Sequence, residues 1–182
     1  MNYQQYHELF DTILNDSQPT HPYDDEHFLN YTKLNQSRMK RWDKQLVLSD
    51  GLIAEIAKIN KPQHWIIITE PWCGDAAHIL PFLIRMSLLN EFVSYDIQLR
   101  DSEPFLINAY LTNGSKSIPK LIVRDNYNND QFNWGSRPLP AQQLLDKMKT
   151  EGATMEIIKL GLQYWYNEDK GRTLCSELEK LF

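Results

Sequence analysis

A junction near the middle of the chain constrains it most. An apolar run, Trp65-Ile66-Ile67-Ile68-Thr69, leads into Trp72-Cys73-Gly74-Asp75-Ala76 and then into an apolar-periodic stretch from Ala77 to Leu89. A short run that is apolar on both faces reads as a strand covered on both sides, and the stretch after the turn reads as a helix packed against it. The first N–H groups of a helix have no partner within it, so at this junction they point at the Cys73 sulfur. That placement favours the thiolate, the form of cysteine that attacks disulfides. Free cysteine is also a common inert core residue, so position alone leaves both roles open.

The flanking patterns give the rest of the fold. Tyr6, Leu9, Phe10, Ile13 and Leu14 form a helical stripe over residues 2–15, which the polar stretch from Asn15 to Pro22 ends. Asn35 or Ser37 is read as the cap of a second helix running to Gln45. Ser49-Asp50 caps a third, with Leu52, Ile53, Ile56, Ala57 and Ile59 on one face. Lys61-Pro62 stops that segment ahead of the strand. The helix after the 73–76 turn extends to about Asn90. Pro81 reads as a kink in it, because Phe82, Leu83, Met86 and Leu89 continue the pattern. Alternation over Glu91 to Leu99 predicts a second strand, and Asp101 or Ser102 is read as starting a helix through Leu111.

This strand–helix–strand–helix order favours a parallel right-handed crossover. Lys120–Arg124 and Gln131–Trp134 then read as an antiparallel hairpin, and Pro138–Lys149 as a helix. The stripe Met155, Ile158, Leu162, Trp165 predicts one more helix, and Leu174–Leu181 a short last one. The fold class is α/β, with a helical N-terminal extension over 1–60, an α/β core over 61–150 and C-terminal helices over 151–182 packed on it as one domain.

Charge and composition narrow the function. At 182 residues and 42% hydrophobic, the chain can bury one substantial core and is short for two ordinary domains. A net charge of -5 argues against nucleic acid and anionic membrane as partners. The one compact basic cluster, Arg38-Met39-Lys40-Arg41 with Lys44, reads as a solvated helix face. Two cysteines, Cys73 and Cys175, make no secreted disulfide framework, and neither an export signal nor a membrane-length apolar run is present, so the cytoplasm is the expected compartment. His7, His21, His27, His64 and His78 lack metal-ligand spacing, and no metal site is expected.

The junction resembles the active site of the thioredoxin superfamily, and most closely that of small members carrying Trp-Cys-Gly-Asp-Ala and a helical N-terminal extension. The resemblance spans about residues 61–150. Cys73 matches the nucleophile, Trp72 the tryptophan before it, and Pro81 the proline that kinks the active-site helix. Ile118-Pro119 matches the cis-proline facing the cysteine, and Gly135 a strand glycine. A cis X–Pro bond turns the preceding backbone outward, where an extended substrate segment can pair beside the sulfur. The resemblance thus implies catalysis by Cys73 and substrate contacts from Trp72, Gly74, Asp75, Ile118 and Pro119.

The departures from the family pattern agree with one another. Ala76 replaces the second cysteine, Ile67 stands where the buried acid would be, and Ile97 where its lysine partner would be. Without a resolving sulfur beside Cys73, nothing needs that proton relay. The chain resembles a monothiol variant: thiol–disulfide exchange through Cys73 with protein or low-molecular-weight thiols and disulfides. Release would need an external thiol such as glutathione as co-substrate, and no other cofactor. Turnover, and so enzyme status, stays open. Resolution by Cys175 would need Cα atoms within about 7 Å. Asp75 reads first as a helix cap that also opposes charge on the sulfur. Arg137 reads as a residue between a strand end and a helix start, with recognition of a substrate carboxylate as the alternative. The competing functional reading is a thioredoxin-like binding module without chemistry, its added helices serving recognition or a homodimer contact.

Overall fold

The computed structural model describes residues 1–182. Three helices lead: α1 (Tyr3–Asn15), α2 (Glu26–Gln45) and α3 (Asp50–Ala57). They are followed by β1 (Gln63–Thr69), α4 (Gly74–Ser87), β2 (Val93–Leu99), a 3-10 turn at Leu106–Ala109, and the hairpin β3 (Lys120–Asp125) and β4 (Asp130–Gly135). Helices α5 (Leu139–Thr150), α6 (Met155–Asp169) and α7 (Arg172–Glu179) close the chain. The strands form one mixed sheet in the order β2-β1-β3-β4, with β2 parallel to β1 and the remaining pairs antiparallel. This is a thioredoxin-like fold with helical extensions at both ends. No helix is long and apolar enough to cross a membrane.

Strand alternation divides the interior in two. Trp65 and Ile67 of β1, with Leu121 and Val123 of β3, join the larger core, to which all seven helices contribute. Ile66, Ile68 and Ile122 face the other way and meet Cys73, Ala76, Ile107 and Ile118 in a smaller cluster. Ile67 and Ile97 are register partners, both fully buried, so hydrocarbon fills the place where the family resemblance puts a charged pair. Helix α4 continues through Pro81. Gly171, with φ +79°, lets the α6–α7 turn pass over Phe82 where a Cβ would collide.

Three elements differ from the sequence expectation. Helix α2 starts nine residues before Asn35, capped by Asp25, whose side chain accepts the His27 N–H at 2.8 Å. Its buried stripe includes Thr32 and Asn35 beside Met39 and Trp42, which breaks the apolar period. The helix expected over 101–111 is reduced to the 3-10 turn. Pro104 cannot donate to a helix ladder, Phe105 adopts a left-handed backbone, and the Asp101 N–H goes to the Glu70 carboxylate at 2.9 Å. On α6 the buried stripe is Ile158, Leu162 and Tyr166, while Met155 is exposed.

Candidate active site

Cys73 is the N-cap of α4. Its backbone carbonyl begins the helix by accepting the Ala77 N–H, and its own N–H is tied back to the Glu70 carbonyl at 3.0 Å. The thiol donates to the Ile118 carbonyl at 3.4 Å, across a cis Ile118–Pro119 peptide. Gly135 on β4, at φ +123°, backs this loop. A Cβ there would run into the Pro119 carbonyl, so only glycine lets the strand pass so close.

The sulfur is not poised as a thiolate. Cys73 is 7% exposed, among Ile66, Ile68, Ala76, Ile107, Ile118 and Ile122. Burial first, and the Asp75 carboxylate second, push its thiol up to about 12, and the backbone N–H groups of Ala76 and Asp75 only partly offset this. The expected benefit of the helix terminus is therefore present and outweighed. Asp75 is not a helix cap either. It sits in an enclosed ion pair, accepting from Arg137 Nη2 at 2.6 Å and Nε at 3.2 Å and from the Tyr166 hydroxyl at 2.7 Å. Arg137 therefore has a partner within the chain, and its side chain is spoken for.

Behind this pair lies a buried chain of aromatic and polar groups. Tyr166 stacks on His78 at 4.4 Å between centroids with 5° between ring planes. His78 Nδ1 accepts the Trp42 indole N–H at 2.9 Å, which places the ring proton on Nε2, facing Gln163 Oε1 at 3.3 Å. Burial, with Arg38 nearby, lowers the His78 pKa to about 3, so the imidazole is neutral. It has no contact with the Cys73 sulfur that would make it a base.

An open cleft of about 530 Å³ joins these groups, and it gathers Trp72, Cys73, Gly74, Asp75 and Ile118. Pro119 is buried next to Ile118 and does not itself line the cleft. Trp72 stands with Phe28 against its edge (5.7 Å) and the Arg100 guanidinium over its ring at 4.6 Å. Helix α2 brings Phe28, Tyr31 and Arg38, and α6 brings Ile158, Leu162, Gln163 and Tyr166, so both extensions build the site. The basic cluster of α2 is a solvated face only at Lys40 and Lys44, which are exposed. Met39 is buried, Arg38 lines the cleft, and Arg41 donates to Asn167 at 2.7 Å. Cys175 is buried in the larger core and borders a different depression, and both cysteines are free thiols. Nothing in this arrangement presents Cys175 to Cys73.

A family model described as thioredoxin matches residues 22–149. The chain belongs to the thioredoxin family. The match begins ahead of α2, well before the residues that carry the motif, so α2 falls inside the family region. Among solved structures, an HIV epitope scaffold is 14% identical, with 100% of this chain and 97% of that chain covered and a TM-score of 0.55. A protein of unknown function from Pseudomonas aeruginosa is 13% identical, with 100% and 96% covered and a TM-score of 0.53. At such identities the likeness is one of fold. No curated protein sequence matches the chain.

Proposed function

We propose that this thioredoxin-family chain is a binding protein that holds its ligand in the cleft beside Cys73, with the thiol acting as a neutral wall group. The observation that carries this is the thiol's setting. It lies in a hydrocarbon cluster, its proton is directed to the Ile118 carbonyl and a paired carboxylate stands next to it, with no second sulfur at residue 76. Thiolate attack needs a charged sulfur, and each of these groups favours the neutral one. We assign the chain to the cytoplasm because its two cysteines are too few for a secreted disulfide framework.

A second reading is favoured by one observation, that Cys73 borders the cleft beside the Ile118–Pro119 loop. In that reading the Cys73 thiol loses its proton to solvent and attacks one sulfur of a bound disulfide. The other sulfur leaves as a thiolate, and an external thiol such as glutathione then displaces Cys73 from the mixed disulfide. Intact-mass measurement of the native protein after incubation with oxidised glutathione separates the two. The binding reading predicts no adduct on Cys73 under native conditions; a stoichiometric, dithiothreitol-reversible adduct establishes exchange instead.

A further inference from the structure

The cleft also states the charge of what it holds. Its walls carry five cationic side chains, Arg38, Arg100, Lys116, Arg137 and Lys159, against a single acid, Asp75, in a chain whose net charge is -5. Asp75 and Arg137 neutralise one another. Arg100 is held by Asp101 at 2.6 Å, and Lys159 lies over the Tyr31 ring at 4.0 Å. Arg38 differs. Its one hydrogen bond runs from Nη1 to Asn35 Oδ1 at 2.8 Å, and its Nε is buried without a partner.

Arg38 is nonetheless fixed in place. Asn35 is anchored through its amide N–H to the Pro71 carbonyl at 2.9 Å, so the guanidinium is held by a short polar chain leading to the Cys73 turn. A Cβ on Gly74 would lie 3.6 Å from Nη1, which puts the guanidinium against the first residue of α4. A positioned guanidinium that lines the cleft, with Nη2 making no hydrogen bond inside the chain, next to the positive end of a fourteen-residue helix, is arranged for an oxyanion. The α5–α6 wall is of the opposite character, with Leu145, Met155, Ile158 and Leu162.

We propose that the cleft binds a small amphipathic organic acid, its carboxylate on Arg38 at the start of α4 and its apolar body against Leu145, Ile158 and Leu162. This rests on the binding reading above and names the ligand class for it. The volume, about 530 Å³, falls in the range of small-molecule sites.

The test is fluorescence titration of the full chain with 8-anilinonaphthalene-1-sulfonate, followed by competition with decanoate and with its uncharged counterpart, decanamide. Decanoate is expected to displace the dye at about tenfold lower concentration than decanamide, the size of one charge-assisted hydrogen bond. Arg38→Gln should erase that preference and Arg38→Lys restore part of it, with circular dichroism confirming the fold and Lys147→Gln, on the exposed side of α5, as control. Equal displacement by acid and amide in the wild-type chain overturns the ligand class and leaves the binding reading standing. Absence of any saturable dye binding overturns both.

Discussion

The two faces of the sheet stabilise the molecule by different means. On one, Trp65, Ile67, Leu121 and Val123 are sealed under helices from both ends of the chain, and hydrocarbon contact does nearly all the holding. On the other, Ile66, Ile68 and Ile122 meet a smaller cluster that ends at an open cleft. At that cleft, where the smaller cluster meets Tyr166 of the larger core, an ion pair, a tyrosine hydroxyl and a stacked histidine take over from hydrocarbon. A sulfur set in hydrocarbon beside a carboxylate is held neutral, because burial and that charge outweigh the nearby Arg137 guanidinium and the helix N–H groups. The same local motif, a cysteine at a helix start, therefore has a chemistry set by what the rest of the chain packs around it.

Asp75→Ala should have the largest effect. It leaves the enclosed Arg137 guanidinium without a counter-charge, a loss of about 3–5 kcal/mol for a buried pair broken on one side. Urea unfolding measures it. Because Asp75 also raises the Cys73 pKa, the same variant should shift the thiol downward. A destabilisation below about 1 kcal/mol would mean that the cleft side does not depend on its ion pair.

Glu70, 6% exposed at the end of β1, comes next. Burial is the main cause that raises its pKa to about 7, with the Asp101 charge adding to it and the Asp101 N–H working against it. The folded state therefore holds a proton that the unfolded state has released above its carboxyl pKa of about 4.5. By linkage, this group's contribution to stability is fully present below about pH 4.5. It falls as pH rises through about 7, by an upper figure of about 3 kcal/mol. His78 runs the other way, since its lowered pKa makes stability rise with pH from about 3 to its ordinary value of 6.5. Subtracting the pH–stability curve of Glu70→Gln from that of the wild type isolates the first effect, and a flat difference between pH 4.5 and 8 would contradict it.

The smallest effect compares the faces residue by residue. Ile67→Val, in the sealed core, should cost toward the upper end of about 0.5–1.5 kcal/mol, and Ile66→Val, beside the cleft, toward the lower end. Thermal denaturation of the two variants reads the difference, and the reverse order would break the contrast between the faces.

How legible these regions were in the sequence follows the same division. Strands β1 to β4, helices α1, α3 and α5, and the Cys73–Pro119 pairing announce themselves by period, by proline and by motif. Helix α2 hid its first nine residues because Thr32 and Asn35 occupy buried positions where an apolar period was sought, Asn35 being satisfied by Pro71 and Arg38. Arg38 read as solvated because a run of charges carries no sign of which member turns inward. Asp75 read as a cap because its partners, Arg137 and Tyr166, are 62 and 91 residues away. What opposes a thiolate at Cys73 was hidden for the same reason. A helix terminus is local and visible in sequence, whereas desolvation depends on Ile107, Ile118 and Ile122, brought in by the fold.

Cys73 as a protonated wall residue of a ligand cleft is a state that can be read on the sulfur itself. The most direct measurement is the pH dependence of its alkylation by iodoacetamide in native Cys175→Ser protein. Modification should be slow and keep accelerating to pH 10 without an inflection. An inflection below the free-cysteine value of about 8.5 would contradict it and return Cys73 to the role of nucleophile.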